Sequence, residues 1–258
     1  MRLIDTHAHL TYAGLVERVD EVLAKCAKHS VAHVITVGTD VLNAEKAIVL
    51  SREYPDSISA AVGIHPHHAA KAASSDLDRL IELWKDSRVV AFGEMGLDYH
   101  YDFAPREVQR SIFAAQLQHA RMLDKPIIIH CREAFEDLVP ILKEHGFCNR
   151  RVVFHCFTGT EKEAEVIHEN GWRLSFTGIV TFRNSTALQA IARQYPLDRL
   201  MVETDSPYLS PMPVRGQTPN DPGNVFHVAN FLAQLRGIPL DELAELTYCN
   251  SRTFFSLP

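Results

Sequence analysis

Pro126-Ile127-Ile128-Ile129-His130 is an apolar run with no polar residue at alternate positions, and it stops at a histidine. A strand that is apolar at every position is buried on both faces, as in a parallel sheet covered by helices, whereas a sheet with one wet face alternates. Working outward from it, strand-like runs occur at Leu3 to Asp5, His33 to Val37, Ile58 to Ile64, Val89 to Phe92, Arg151 to Phe154, Trp172 to Ser175 and Leu200 to Val202. Between the runs, helical spacing predicts helices at Val16 to Ala27, Ala44 to Glu53, Leu77 to Trp84, Val108 to Leu123 and Ala134 to Glu144, with weaker ones beginning at Glu161, Ser185 and Asn224. Eight such units in 258 residues match the count and length of an α/β chain folded as a (β/α)8 TIM barrel, in preference to a doubly wound sheet. No composition break or repeat divides the chain, so residues 1 to 258 are expected to form one domain, with the proline-rich segment Ser206 to Gly223 as a long ordered loop after the last strand.

The bulk composition fits this frame. With 46% hydrophobic and 22% charged residues the chain can bury one large core, and no apolar stretch is long enough to span a bilayer. Met1-Arg2 leads straight into a strand without the pattern of a secretory signal. Cys26, Cys131, Cys148, Cys156 and Cys249 are odd in number, scattered and never in a CxxC arrangement, which argues against a disulfide framework or a thiolate zinc site; a reducing cytoplasm is expected. A formal net charge of -6 speaks against a protein that coats nucleic acid through a broad basic face, so a polyanionic substrate would need local attraction.

Chemistry in such barrels stands at the C-terminal ends of the strands, and that is where the polar residues collect. The first strand ends in His7 and His9, the third in His65, the fourth in Glu94, the fifth in His130, the sixth in His155 and the eighth in Glu203-Thr204-Asp205. His7, His9, Glu94, His130, His155 and Asp205 together supply four imidazoles and two carboxylates, a nitrogen and oxygen set suited to zinc, manganese or another first-row divalent ion. Six ligands exceed the three that a single catalytic zinc usually takes, so two ions bridged by one carboxylate are expected, with Glu94 as the bridge.

Strand alternation turns Cys131 and Cys156 toward the helices, away from the ligands that precede them, and places Asp5 and Glu203 on the face of His7 and Asp205, either as acceptors that orient ligand imidazoles or as members of a buried polar network lower in the barrel. Arg132 is a candidate for an anionic substrate group. His65 is suited to substrate contact or proton transfer, while His67 and His68 are expected to be solvated.

The segments Asp5-Thr6-His7-Ala8-His9-Leu10, Val62-Gly63-Ile64-His65-Pro66-His67, Gly93-Glu94-Met95-Gly96-Leu97-Asp98-Tyr99, Pro126 to Arg132, His155-Cys156-Phe157-Thr158-Gly159 and Val202 to Leu209 resemble, in order and spacing, the TatD family of metal-dependent hydrolases and deoxyribonucleases, within the amidohydrolase-type barrels. The likeness runs nearly end to end and is closest to the subgroup with an HxH near the N-terminus. It implies a barrel, two divalent ions held by the six residues above, and phosphodiester hydrolysis with 3'-to-5' exonuclease activity on DNA. Arg215-Gly216-Gln217-Thr218-Pro219-Asn220-Asp221-Pro222 departs from the family pattern by an inserted residue and a missing positive charge, which implies weaker attraction for a phosphate backbone.

The expected chemistry is hydrolysis by a water that zinc, manganese or magnesium activates, with Asp205 accepting its proton and His65 or Arg132 steadying the developing charge. The same water could cut a carboxyl ester or amide, including aminoacyl esters on RNA, and a nonenzymatic barrel that keeps metal for stability is a third reading. The acidic balance favours single-stranded DNA ends over long duplex as substrate, with neither a membrane nor an obligate protein partner expected.

Overall fold

The computed structural model describes residues 1–101 and 103–257; Asp102 and Pro258, the last residue of the expected unit, lie outside the described residues. Eight strands form one sheet in sequence order, each pair of neighbours parallel: β1 Leu3–Ala8, β2 Val31–Gly38, β3 Ile58–Val62, β4 Val89–Asp98, β5 Ile127–Arg132, β6 Val152–Phe154, β7 Arg173–Phe176 and β8 Leu200–Val202. The seam between β8 and β1 closes just beyond the strand ends. Asp205 N donates to His7 O at 2.9 Å and His9 N to Ser206 O at 2.7 Å, around a parallel bridge between Ala8 and Ser206. The barrel is therefore pinned shut at the end where the histidines stand.

The helices are α1 Val19–Lys28, α2 Val41–Glu53, α3 Ser74–Leu83, α4 Arg106–Leu123, α5 Phe135–Glu144, α6 Glu161–Glu169, α7 Thr186–Gln194, α8 Val225–Arg236 and α9 Leu240–Phe255. Among the described residues no helix is long and apolar enough to cross a membrane. The boundaries move by a few residues from those read in the sequence, as where Val16–Arg18 forms a separate 3-10 turn ahead of α1. Two larger differences have physical causes. β4 runs on past Phe92 to Asp98, because Gly93 and Gly96 interrupt the apolar run without ending the strand. At Gly96, φ is +146° and a Cβ would stand 1.9 Å from the carbonyl oxygen of His130, so the absent side chain is what lets β4 lie against β5 there.

The second difference is α9, which has no counterpart among the predicted elements. Its Tyr248, Phe254 and Phe255, with Leu257, pack with Ile4, Ile35, Val37, Ala61, Ala91, Ile128, Val153 and Met201 in a core cluster separate from the larger one around Leu3, Val34 and the helix faces. Ile128, Val153 and Met201 precede His130, His155 and Glu203 by two positions, so these strands place an apolar side chain below each polar one on the same face. This interior layer is the floor on which the polar cluster stands.

Candidate metal centre

Glu94, buried on β4, is the centre of the cluster, and its two oxygens face different partners. Oε2 is 3.3 Å from His7 Nε2 and 3.9 Å from His9 Nε2. Oε1 is 2.7 Å from His155 Nε2, 2.9 Å from His130 Nδ1 and 3.3 Å from His65 Nε2. Asp205 Oδ1 lies 3.4 Å from His9 Nε2 and 3.8 Å from His7 Nε2. All six predicted ligands are thus brought together, in two groups that meet on one carboxylate.

The ring orientations are set from outside. His9 Nδ1 is 3.1 Å from the carbonyl oxygen of Val37, which can only accept, so Nδ1 carries a proton and Nε2 is the nitrogen that faces the carboxylates. His130 Nε2 is 2.9 Å from Asp98 Oδ2, leaving Nδ1 toward Glu94 and His155. Glu203 Oε1 lies 3.3 Å from His155 Nδ1 and also accepts from the amide of Cys156 at 2.6 Å. His7 stacks on His155 with ring centroids 3.9 Å apart. Both nitrogens of His7 are buried without a hydrogen-bond partner among the described residues. Buried polar atoms are rarely left so, and for Nε2, which faces Glu94 and Asp205, a divalent cation among His7, His9, Asp205 and Glu94 is the partner this donor set fits. His7, His9 and Glu94, and again Glu94, His130 and His155, present ligand atoms within reach of one ion.

Charge balance follows the same geometry. Burial pushes the Glu94 carboxyl up, but His155, His65 and His7, with the His130 hydrogen bond, outweigh it and hold Glu94 well below the usual carboxylate range. Asp205 is likewise held low, against burial, by His9 and His7. His65 goes the other way: burial pushes it down to about 3. Its Nδ1 accepts from the His67 amide at 3.0 Å, so the neutral ring carries its proton on Nε2 and donates toward Glu94 Oε1. His65 is therefore a donor at the edge of the cluster, and it also falls with His67 and His130 in a group whose ligand atoms lie within reach of one ion.

Several placements correct the sequence reading. Asp5 does not orient an imidazole: it accepts from the Thr204 amide at 2.9 Å, from Thr204 Oγ1 and from the His7 amide at 3.3 Å, and so ties β1 to the end of β8. Simple alternation fails because β1 carries a bulge, with three steps from Asp5 to Ala8 against two from Val34 to Thr36 on β2. Cys131 packs against the outer core as expected while also bordering the cavity, and Cys156 lines the cavity too. β6 has ended by then and Cys156 adopts a φ of +45°. Burial, with Asp205 and Glu203 nearby, pushes its thiol well above the usual value, so it is a poor ligand despite its place. His67 is not simply solvated; its Nε2 is 2.8 Å from Asp98 Oδ2.

Asp98 is the residue that the site reading left out. Burial pushes its carboxyl up, but the hydrogen bonds of His130 and His67 and of the Tyr101 amide bring it far below the ordinary value. The signal was available: Glu94, Gly96 and Asp98 are alternate residues of one strand and share a face.

These groups line a cavity of about 680 Å³ at the C-terminal mouth, with Tyr12, Tyr101, Tyr208 and Arg132 in its walls. Arg132 is exposed and lays its guanidinium over the Tyr101 ring, 4.7 Å from the centroid. In the loop after β8, Gln217 turns to Asp221 and Pro219 O, and Lys25 of α1 binds Asp221 at 2.8 Å. The divergent loop is thereby clamped to the barrel wall.

A family model described as TatD related DNase matches residues 4–256. An uncharacterized metal-dependent hydrolase of Bacillus subtilis, YabD, is 39% identical over 255 residues, covering 99% of each chain. The 3'-5' ssDNA/RNA exonuclease TatD of Erwinia tasmaniensis is 35% identical over 259 residues, covering 99% of this chain and all of its own. The crystal structure of YjjV, a TatD homologue from Escherichia coli K12, superposes with a TM-score of 0.94 at 30% identity, covering 100% of this chain and 99% of that one. The chain, with its polar cluster at the mouth of a parallel barrel, belongs to the TatD family of metal-dependent hydrolases.

Proposed function

We propose that the chain hydrolyses phosphodiester bonds at single-stranded nucleic-acid ends, acting as a 3'-5' exonuclease on DNA with two divalent ions, zinc, manganese or magnesium, at the barrel mouth. The observation that carries this reading is the division of Glu94, one oxygen toward His7 and His9 and the other toward His130 and His155. One ion would be held by His7, His9, Asp205 and Glu94, the other by Glu94, His130 and His155. Bound there, the ions supply a water of lowered pKa and positive charge opposite a phosphate. Asp205, kept ionised by His9 and His7, would accept the proton of that water. His65 offers its Nε2 proton beside Glu94, and Arg132 stands at the rim, where a guanidinium can meet a phosphate oxygen. The name of the Erwinia relative supports the choice of single-stranded nucleic acid.

One digestion assay tests the reading, with the purified chain set against single-stranded DNA, duplex DNA and RNA in zinc, manganese and magnesium. Shortening of single-stranded DNA from its 3' end, faster than duplex, is expected. Turnover of a carboxylic ester or cyclic amide with none of any phosphodiester would replace it by carbonyl hydrolysis.

A further inference from the structure

Among the described residues, the aromatic side chains more than a third exposed are Tyr101, at 48%, Phe103, at 64%, and Tyr208, at 54%, and all three stand at the mouth of the cavity or against a residue that lines it. Exposed rings cost hydrophobic free energy, so their collection at one rim calls for something that covers them. Tyr101 and Phe103 are stacked on each other, 5.6 Å apart and within 5° of parallel, and both meet His67 at near right angles. Arg132 adds a guanidinium over Tyr101. The Tyr101 amide donates to Asp98 Oδ1 at 3.0 Å, while Asp98 Oδ2 faces His130. The same carboxylate therefore fixes both the aromatic step and a ligand imidazole.

We propose that Tyr101 and Phe103 form a stacking step for one unpaired nucleobase next to the scissile phosphate, on the His130 side of the cleft, with Arg132 against the adjoining phosphate. The proposal rests on the phosphodiester reading above and adds the group that would select single strands. A flat ring accepts any base whose π-face is free, which a base inside a duplex does not offer, and a stack of this kind is indifferent to base identity. The parallel rings suit a planar occupant, and the Arg132 guanidinium over Tyr101 suits one that carries an anion beside its planar group.

The test is a coupling measurement. Single-stranded oligodeoxyadenylates carrying one abasic tetrahydrofuran nucleotide, moved along the last four positions from the 3' end, are given to the metal-loaded wild type and to Tyr101→Ala, Phe103→Ala and Phe103→Trp. In the wild type, KM should rise roughly 5- to 150-fold when the abasic unit occupies one particular position, the worth of a single base–aromatic stack. The abasic-to-intact KM ratio should fall toward one in both alanine variants and be kept by Phe103→Trp. Both rings are exposed, so their truncation leaves the core intact. A wild type indifferent to the abasic position, or alanine variants that keep the full penalty, would overturn the stacking step. Binding of the same oligonucleotides, read by anisotropy, separates the two levels. Binding that needs both base and rings without any cleavage leaves the step standing and sinks the phosphodiester reading; cleavage that ignores the base sinks the step alone.

Discussion

Glu94 is the residue on which the two halves of the centre depend, and its removal should act differently from that of any imidazole. Glu94→Ala is expected to drop bound metal from two ions per chain to near none, by atomic emission of the dialysed protein, because each group loses its shared carboxylate. Retention of one ion would show that Glu94 does not bridge. Replacing both His7 and His9 should instead empty one position and leave its neighbour partly filled. Asp98→Asn tests positioning: with the carboxylate behind His130 gone, affinity for the ion on the His130 side should weaken about 10- to 100-fold, measured by metal titration, while the His7 side holds. The six grouped side chains could be read in the sequence because a histidine or carboxylate at the end of an apolar run has few other reasons to be there. Asp98 has no such mark, since its partners come from elsewhere, His67 from the 3-10 turn after β3 and His130 from β5, and the contacts of Asp5 depend on a bulge in β1 that composition does not show.

The same contrast holds among the elements. Strands β1 to β8 announce themselves by local apolar runs, but α9 is defined by what it covers. Its apolar residues make sense only once the interior of the barrel exists as a surface to be closed. Phe254→Ala should therefore cost about 3–5 kcal/mol in denaturant unfolding, as for a large buried aromatic, without changing the metal stoichiometry of the folded fraction. A loss below about 1 kcal/mol would mean that α9 is an ornament on the barrel. On β2, His33 allows an element to be read by pH at a distance from the metal centre. Its Nε2 is 2.9 Å from Ser59 Oγ on β3, and burial, aided by Arg88, lowers its pKa from the ordinary 6.5 although the Asp56 carbonyl opposes this. The folded pKa is depressed, so the unfolded chain takes up the proton first. The stability of neutral His33 is present above pH 6.5 and lost as pH falls below it, at no more than about 1.4 kcal/mol per pH unit. His33→Gln should flatten that acid limb relative to the wild type, by urea unfolding of both proteins without metal; parallel curves would place the titration elsewhere.

At the scale of the whole molecule, electrostatics runs against the proposed substrate. The chain carries a net charge of -6, and the fixed charges in the described wall of the cavity are three carboxylates, Glu94, Asp98 and Asp205, with the single guanidinium of Arg132. A phosphate entering that cavity without ions would meet those carboxylates already matched in part by the imidazoles of His9, His130 and His155, whose pKa values they raise. Affinity for nucleic acid must then come from bound cations and stacked bases, with little from a basic track. Two consequences separate this from a conventional basic nuclease. Chelation should abolish binding of a labelled single strand as well as turnover, because removing the ions takes away the cations that would meet the phosphate and leaves the imidazoles paired with Glu94, Asp98 and Asp205; binding that survives chelation would reveal an anchoring surface outside the cavity. The logarithm of KM should also rise only gently with the logarithm of salt concentration. A single strand contributes a slope of about 0.7 for each phosphate neutralised by a basic side chain, so one or two contacts around Arg132 correspond to roughly 0.7 to 1.4. A slope of about 3 or more between 50 and 200 mM salt would require several lysines or arginines along the strand, and the charge distribution around the mouth provides no such track among the residues that line it.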